Sequence, residues 1–537
     1  MGKKEVLPNV AKAGVIMMIS LLASRFLGII RDVILASSFG QNAFTDAYRF
    51  SFQIPDLLFF LIAGGALSSS FIPVFSEYLH TDREDEAWHV FSAIVCIMSA
   101  IVLTFIVVAW ILAPQLTQLI APNHPHIWNE ITLMSRIVLP AQYAFFIGGI
   151  LFGTLYAKQV FTVPGLGPNI YNVGIILGAL LVSHLVTPSV AGMSWGALVG
   201  ASIGNLLIPL FAIRHMGAKF RITFDFSHPG VKKVLKLMLP VVLGLSLPGV
   251  FALLLQYFGG LYGKEGVNSA LDTANRLMQA PLGIFGQSLA IAAFPALSQF
   301  FAQKKMDLFR DQLSKTLRTT LYLAMPISAI LLFLPAEIIQ ALLQHGNFTA
   351  ADTARTAPAL QMFAVGVAAW CMHPVLMRAY FSTQNTITPV VLGTITTVVF
   401  IGLSLATLRL GIDFWILPLA GSVSAILLVV MMLIGVSKIG EGIDIKGILR
   451  TLFLAALASG LTAFLLWIGV QGARSLPLLQ SSLGTLALLG FGFLLFAWGY
   501  YFLTKALKMP EAAYFERALK RGKKEDPQPP APAQPQG

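Results

Sequence analysis

The stretch Ala93-Ile-Val-Cys-Ile-Met-Ser-Ala100-Ile-Val-Leu-Thr-Phe-Ile-Val-Val-Ala-Trp-Ile-Leu112 contains no charged residue. Coiled at about 1.5 Å per residue, it spans the roughly 30 Å of a bilayer's hydrocarbon core. Similar apolar windows recur along the chain, about fourteen in all by periodicity and length. They fall near 12–38, 43–75, 88–120, 130–157, 167–187, 191–213, 237–261, 270–301, 317–343, 354–381, 387–408, 413–437, 449–470 and 480–504. Composition agrees: of 537 residues, 56% are hydrophobic and 11% charged, with mean hydropathy +0.77. Soluble domains carry roughly 25% charged residues. The expected fold is an all-α membrane protein of about fourteen transmembrane helices.

The basic residues test that count, because cytoplasmic loops collect lysine and arginine. With both termini inside, Lys3, Lys4, Lys12, the stretches 214–236 and 304–318, Lys438, Lys446, Arg450 and the stretch 505–524 all become cytoplasmic. Lys264, Arg355, Arg409 and Arg474 fall outside. The acidic run Thr81-Asp-Arg-Glu-Asp-Glu86 sits oddly on the inner side, though carboxylates count little in this rule. The net charge of +12 is spread through short loops, which suits anionic lipid and topology, not nucleic acid. Cys96 and Cys371 lie in spans and suggest no disulfide framework. The basic start followed by an apolar run reads as an uncleaved first span, since Arg25 and Arg31 stand where small residues would mark cleavage. Residues 509–537, basic and then Pro-rich, read as a disordered cytoplasmic tail.

The chain resembles itself. Asp46-Ala-Tyr-Arg49 with Gln53-Ile-Pro55 matches Asp272-Thr-Ala-Asn-Arg276 with Gln279-Ala-Pro281. Phe71-Ile-Pro-Val-Phe-Ser-Glu77 is echoed by Phe294-Pro-Ala-Leu-Ser-Gln299, and Leu155-Tyr156 with Thr162-Val-Pro164 by Ala379-Tyr380 with Ile387-Thr-Pro389. All lie about 225 residues apart, a spacing that signals duplication. Six helices fill that offset, so the copies share one orientation. The expected organisation is a six-helix lobe at 1–215, a parallel six-helix lobe at 216–437, two extra helices at 438–508 and the tail.

Charges inside spans mark function. Each costs roughly 2.5–3.5 kcal/mol at mid-depth unless it is paired or faces water. The candidates are Arg25, Arg31, Asp32, Asp46, Arg49 and Asp56 in the first two spans and Asp272 and Arg276 in the second half. Arg25 and Asp32 share a helical face, Asp46 and Arg49 are three apart, and Asp272 and Arg276 are four apart, so pairing can offset much of the cost. Arg25, Arg31, Arg49 and Arg276 are the expected ligand-binding residues, because a guanidinium stays charged and grips phosphate with two donors. Asp32, Asp46 and Asp272 are their expected charge partners. Arg136 and Arg378 are expected to snorkel toward the interface. No G-x-x-x-x-G-K-[ST] or H-E-x-x-H sequence occurs, and the histidines have no metal-ligand spacing. No enzyme, cofactor or metal site is expected, and the cargo of such a cavity is an anion.

The run Ser24-Arg25-Phe-Leu-Gly28-Ile-Ile-Arg31-Asp32, then Thr45-Asp46-Ala47, Pro55-Asp-Leu-Leu58 and Gly65-Ala66 through Phe71-Ile-Pro73, resembles the N-terminal signature of the MurJ (MviN) lipid II flippases. The resemblance continues through Arg276-Leu-Met, Gln344-His-Gly-Asn-Phe-Thr349 and Tyr380-Phe-Ser with Thr388-Pro389. It implies a fourteen-helix member of the multidrug/oligosaccharidyl-lipid/polysaccharide (MOP) exporter superfamily in the bacterial plasma membrane. Its implied cargo is lipid II, with a pyrophosphate head and polyprenyl tail, carried to the outer leaflet for peptidoglycan synthesis. It also implies contact with membrane lipids, cell-wall synthases as candidate partners, cavity roles for Arg25, Arg31, Asp46 and Arg276, and a lipid-tail groove on the last two helices. The sequence departs from the family at Phe59, Phe60 and Gly64, where many members carry charges. Helix seven offers Gln256 in place of a carboxylate, so the resemblance carries no sodium site over. The alternatives are a polysaccharide-lipid flippase or drug antiporter on the same scaffold, a non-transporting scaffold for cell-wall synthesis, and a membrane glycosyltransferase.

Overall fold

The structure is a computed structural model that describes residues 6–61, 64–79, 81, 83–243, 247–383, 385–438, 442–473 and 482–513. Among these residues every regular element is a helix. Nine helices are long and apolar enough to cross a membrane, and a tenth span results if Ala350–Ala364 and Val367–Ser382 are one broken crossing. They correspond to ten of the expected windows. The other four windows are helical too. Window 43–75 holds Ala43–Ser51, a turn at Phe52, Gln53–Leu61 and Gly64–Leu79, with 62–63 outside the described residues, and window 237–261 holds Pro229–Leu243 and Leu247–Gly260, with 244–246 outside them. Window 270–301 runs Val267–Pro281, a wide π turn at Leu282–Gly286, then Gln287–Ala302. The first window is one long helix, Val6–Phe39. Windows 12–38, 43–75 and 270–301 carry the embedded charges, and departures from the α-helix such as those at Phe52 and Leu282–Gly286 persist only where protein or water meets the freed backbone groups. The fourteen crossings expected from sequence therefore stand at nine or ten among the described residues.

Two compact units interleave along the chain: one takes 1–280, 335–366 and 385–431, the other 281–334, 367–384 and 432–537. In the first, an aromatic core joins Gly64–Leu79 to Glu84–Ile111. Phe71 stacks on Phe75 at 5.2 Å between ring centres, and Phe75 meets the edge of Trp88 at 5.5 Å. Small residues set a second contact. Gly174 and Gly178 on one helix face Gly192, Gly196 and Gly200 on Ala191–Ala201, and a Cβ on Gly174 would stand 2.6 Å from the Gly196 carbonyl oxygen. The backbones touch, as apolar membrane helices do when glycine recurs every fourth residue.

The acidic run has a local reason. Glu84, Asp85 and Glu86 form the first turn of Glu84–Ile111, where unpaired amide groups favour negative charge. Lys158 and Lys219 pair with Glu84 and Asp85 at 3.0 and 2.6 Å.

In the second unit, Arg318 on Met306–Phe333 donates through Nε to Glu511 at 2.7 Å, and the Tyr500 hydroxyl donates to the Tyr322 carbonyl at 2.8 Å. Glu511 is almost fully buried, so 509–513, assigned to a disordered tail by composition, is packed; residues 514–537 lie outside the described residues. The side chains of Phe59, Phe60 and Gly64 also lie outside them.

Candidate functional site

Five segments of the first unit converge on a cavity of about 230 Å³. Arg31, Asp32 and Leu35 come from Val6–Phe39, and Tyr48, Arg49, Phe52, Gln53 and Asp56 from the broken second window. Tyr171 and Ile175 come from Thr162–Leu177, Gln256 from Leu247–Gly260, and Asp272 and Arg276 from Val267–Pro281. Three of the five contributors come from the charged windows, and Thr162–Leu177 belongs to a span that passes on length and apolarity.

The charges form one linked set. Arg31 donates from Nε and Nη2 to Asp32 Oδ1 at 3.1 and 3.0 Å, and from Nη1 to Asn172 Oδ1 at 3.0 Å. Asn172 is buried and its amide nitrogen donates to the Pro168 carbonyl and to Ser24, so it ties the arginine's helix to Thr162–Leu177. Asp272 Oδ2 is shared by Arg49 Nη1 at 2.6 Å and Arg276 Nε at 2.7 Å. Arg276 Nη1 reaches Asp32 Oδ2 at 3.8 Å, which joins the two halves of the set. The i,i+4 pairing of Asp272 and Arg276 is as the spacing anticipates.

Three arginines and three aspartates line the cavity, so its formal charges cancel. An anion entering it must exchange with carboxylates for the guanidinium donors, and the arginines differ in how ready they are. The Arg49 side chain is 7% exposed and Arg31 15%, while Arg276 is 40% exposed. Arg276 is the hand that reaches into the space. Arg31 and Arg49 are held from behind.

Two expected site residues lie elsewhere. Arg25 is exposed and does not line the cavity. Asp46 is a correction: it is no counter-ion of Arg49. Its Oδ2 and Oδ1 accept the backbone N–H groups of Gly266 and Ser269 at 2.6 and 2.7 Å, at the start of Val267–Pro281. The carboxylate caps a helix from a distant part of the chain, satisfying amides that lack a partner within the helix. A sequence spacing of three residues could not reveal a partner 220 residues away.

Asp46 belongs to a second constellation. Gln41 donates to Thr356 Oγ1 at 2.8 Å, Arg355 pairs with Asp352 at 3.2 Å and reaches the Gln41 carbonyl, and the Asn347 amide donates to the Ser37 carbonyl at 2.7 Å. The Gln344-His-Gly-Asn-Phe-Thr349 motif is this turn. Gly346 has φ +58° and sits against the Ser37 carbonyl, where any Cβ would collide. Sequence reasoning missed Asn172 and the tyrosines Tyr48 and Tyr171. An amide within an apolar window was the available signal for the first; nothing singled out the tyrosines.

The sequence profile described as "Lipid II flippase MurJ" matches residues 35–484. A "Probable lipid II flippase MurJ" of Bdellovibrio bacteriovorus is 29% identical over 465 residues, covering 85% of this chain and 88% of that protein. One of Buchnera aphidicola subsp. Acyrthosiphon pisum is 28% identical over 380 residues, 70% of this chain and 74% of its own length. Among solved structures, "Lipid II flippase MurJ, inward closed conformation" aligns with TM-score 0.76 at 24% identity, covering 92% of this chain and 99% of that one. An inward-facing MATE family multidrug transporter of the MOP superfamily aligns with TM-score 0.66 at 14% identity, covering 79% and 98%. At these identities the structural likeness is one of fold. The profile spans most of the sequence and the fold agrees with it: this multi-pass membrane chain belongs to the MurJ lipid II flippase family.

Proposed function

We propose that the chain is a lipid II flippase, moving the pyrophosphate-linked peptidoglycan precursor from the inner to the outer leaflet of the bacterial plasma membrane by alternating access. The observation that carries this is the cavity where Arg31, Arg49 and Arg276 meet Asp32 and Asp272, in a member of that family. Planar guanidinium groups match phosphate oxygens in pairs, and a pyrophosphate offers enough of them to displace the carboxylates. Arg276 makes first contact, Arg31 completes the grip, and Arg49 positions Asp272. The two parallel lobes expected at 1–215 and 216–437, with both termini cytoplasmic, supply the rocking parts.

The Asp46, Gln41, Asn347 and Arg355 contacts lie on the side that the basic residues avoid, and they support a state closed toward the outside. Energy comes from the membrane potential: moving about two negative charges outward past an inside-negative field is favoured by roughly 4.6 kcal/mol per 100 mV. Cell-wall synthases are proposed partners on the outer side, where the product emerges.

The test is Arg31→Ala and Arg276→Ala, one at a time, in cells that depend on this chain, with lipid II accessibility read separately in each leaflet. The expected result is loss of outer-leaflet lipid II and of viability, with normal amounts of protein in the membrane. Unchanged accessibility in both variants overturns the assignment and favours a non-transporting scaffold.

A further inference from the structure

The segment 217–228, between Ile208–His215 and Pro229–Leu243, runs without helix or ladder partner. Its sequence alternates: Lys219-Phe-Arg-Ile-Thr-Phe-Asp225-Phe-Ser-His228. An extended chain sends successive side chains to opposite sides, which puts Phe220, Ile222 and Phe224 on one side; Phe226 follows a tight turn in which its N–H donates to the Phe224 carbonyl at 3.0 Å. They are exposed: Phe220 51%, Ile222 81%, Phe224 54% and Phe226 56%.

The other side is fastened to the polar beginning of Glu84–Ile111. The Arg221 backbone N–H donates to Ser92 Oγ at 3.1 Å, His89 Nε2 meets Asp225 Oδ2 at 3.0 Å, and His228 Nε2 lies 3.9 Å from Glu86. Lys219 Nζ reaches back to Asp85 at 2.6 Å. Ser227 and His89 hold the Asp225 carboxyl below the usual carboxylate range, so the fastening persists near neutral pH. Four large apolar side chains kept at the surface by a strap tied down on its polar side need a non-aqueous neighbour.

Depth along the helix says which neighbour. The strap touches residues 85–92, and the uncharged stretch 93–112 begins where those contacts end. The strap therefore lies at the level of the lipid headgroups. Its register also slopes, because Arg221 meets Ser92 while Asp225 meets His89 and His228 meets Glu86. Phe220 and Ile222 are nearest the hydrocarbon, and Phe226 is farthest from it. Arg214, Lys232 and Lys236 flank the strap, and among the described residues none of them has a carboxylate within ion-pair distance.

We propose that this strap is an interfacial anchor: Phe220, Ile222 and Phe224 enter the headgroup–acyl boundary of the cytoplasmic leaflet, while Arg214, Lys232 and Lys236 hold anionic lipid headgroups. Exposed aromatic and aliphatic residues beside cations are the composition of segments that lie in the membrane plane. The inference rests on the chain crossing a membrane with this side inward and not on the identity of its cargo.

Spin-label accessibility on the full chain in vesicles tests it. Phe220→Cys, Ile222→Cys, Phe224→Cys, Phe226→Cys and, on the fastened side, Thr223→Cys are each labelled in a Cys96→Ala, Cys371→Ala background. The two native cysteines are buried. Vesicles contain either phosphatidylethanolamine with phosphatidylglycerol or phosphatidylcholine alone. In the anionic vesicles, labels at 220, 222 and 224 are expected to collide several-fold more with oxygen than with a water-soluble nickel complex. The ratio should fall toward 226, vanish at 223, and drop in neutral vesicles.

Nickel accessibility at 222 and 224 equal to that of a label at the exposed Asp307 overturns the proposal. So does exclusion of both reagents, which marks a protein neighbour such as a second copy. Equal depth in both lipid mixtures overturns the role given to the basic residues. Should a label disturb folding, quenching of Phe224→Trp by lipids brominated at defined depths reads the same position with a smaller change. No cargo is moved in either experiment, so failure here leaves the proposed transport to its own test.

Discussion

A carboxylate in an apolar span is judged by its partner, and Asp46 and Asp272 are opposite cases. Asp272 balances Arg49 and Arg276, so its removal takes away the ion pair of Arg49 and leaves Arg276 only Asp32 at 3.8 Å. Asp46 closes the first turn of Val267–Pro281 through two backbone amides, and the cation it interacts with is Arg355, not Arg49. Replacing it with Ala abandons both donors, at roughly 1–3 kcal/mol for each buried donor left unpaired. For Asp46→Ala we expect a cysteine placed at Ser269 to react faster with a membrane-impermeant thiol reagent added outside, and flipping to fall. Unchanged labelling would refute the closing role. At this scale the sequence was half readable. Asp272 and Arg276 lie one helical turn apart and announce each other. Asp46 and Arg49 are spaced to meet in the same way, but a free helix end elsewhere competes for the carboxylate and wins.

Between helices, the decisive residues have no side chain. Gly192, Gly196, Gly200 and Gly204 recur every fourth position and let Ala191–Ala201 meet Gly174 and Gly178 backbone to backbone. A Cβ on Gly196 would collide with the Gly174 carbonyl oxygen. Gly196→Leu is expected to destabilise the protein in detergent by about 1–3 kcal/mol or more, as forced overpacking does. Gly402→Ala, where a Cβ meets nothing within 4 Å, should leave the melting temperature unchanged. Equal melting of both variants would remove the zipper from the account. This spacing stands in the sequence but was not singled out there, and the turn at Phe52 was hidden as well. Apolar content reads Ala43–Ser51 and Gln53–Leu61 as one crossing, because averaging over about 20 residues hides an interruption of one.

For the whole molecule, composition alone gave the solvent, and charge placement gave a direction. The internal repeat put Arg49 and Arg276 at equivalent places in two halves, and the structure brings both onto one aspartate. Of the two arginines Arg25 and Arg31 in the first helix, Arg31 lines the cavity and Arg25 does not. If the field drives the outward step, collapsing the potential with valinomycin and potassium in proteoliposomes should slow net lipid II transfer several-fold, while an imposed inside-negative potential restores it. Transfer indifferent to both would exclude the potential as the energy source.

The Asp46 contact also has a genetic meaning. Its acceptor is a side chain, but its donors are main chain, which every residue except proline supplies alike. The contact can thus be broken by mutation from one side and not rebuilt from the other. A cell that loses Asp46 cannot recover the bond by a compensating charge at Ser269. At Gly266 the route is closed as well, since φ is +77° and a Cβ would strike Arg355. Second-site revertants, if they arise, must therefore act elsewhere than at the two donors.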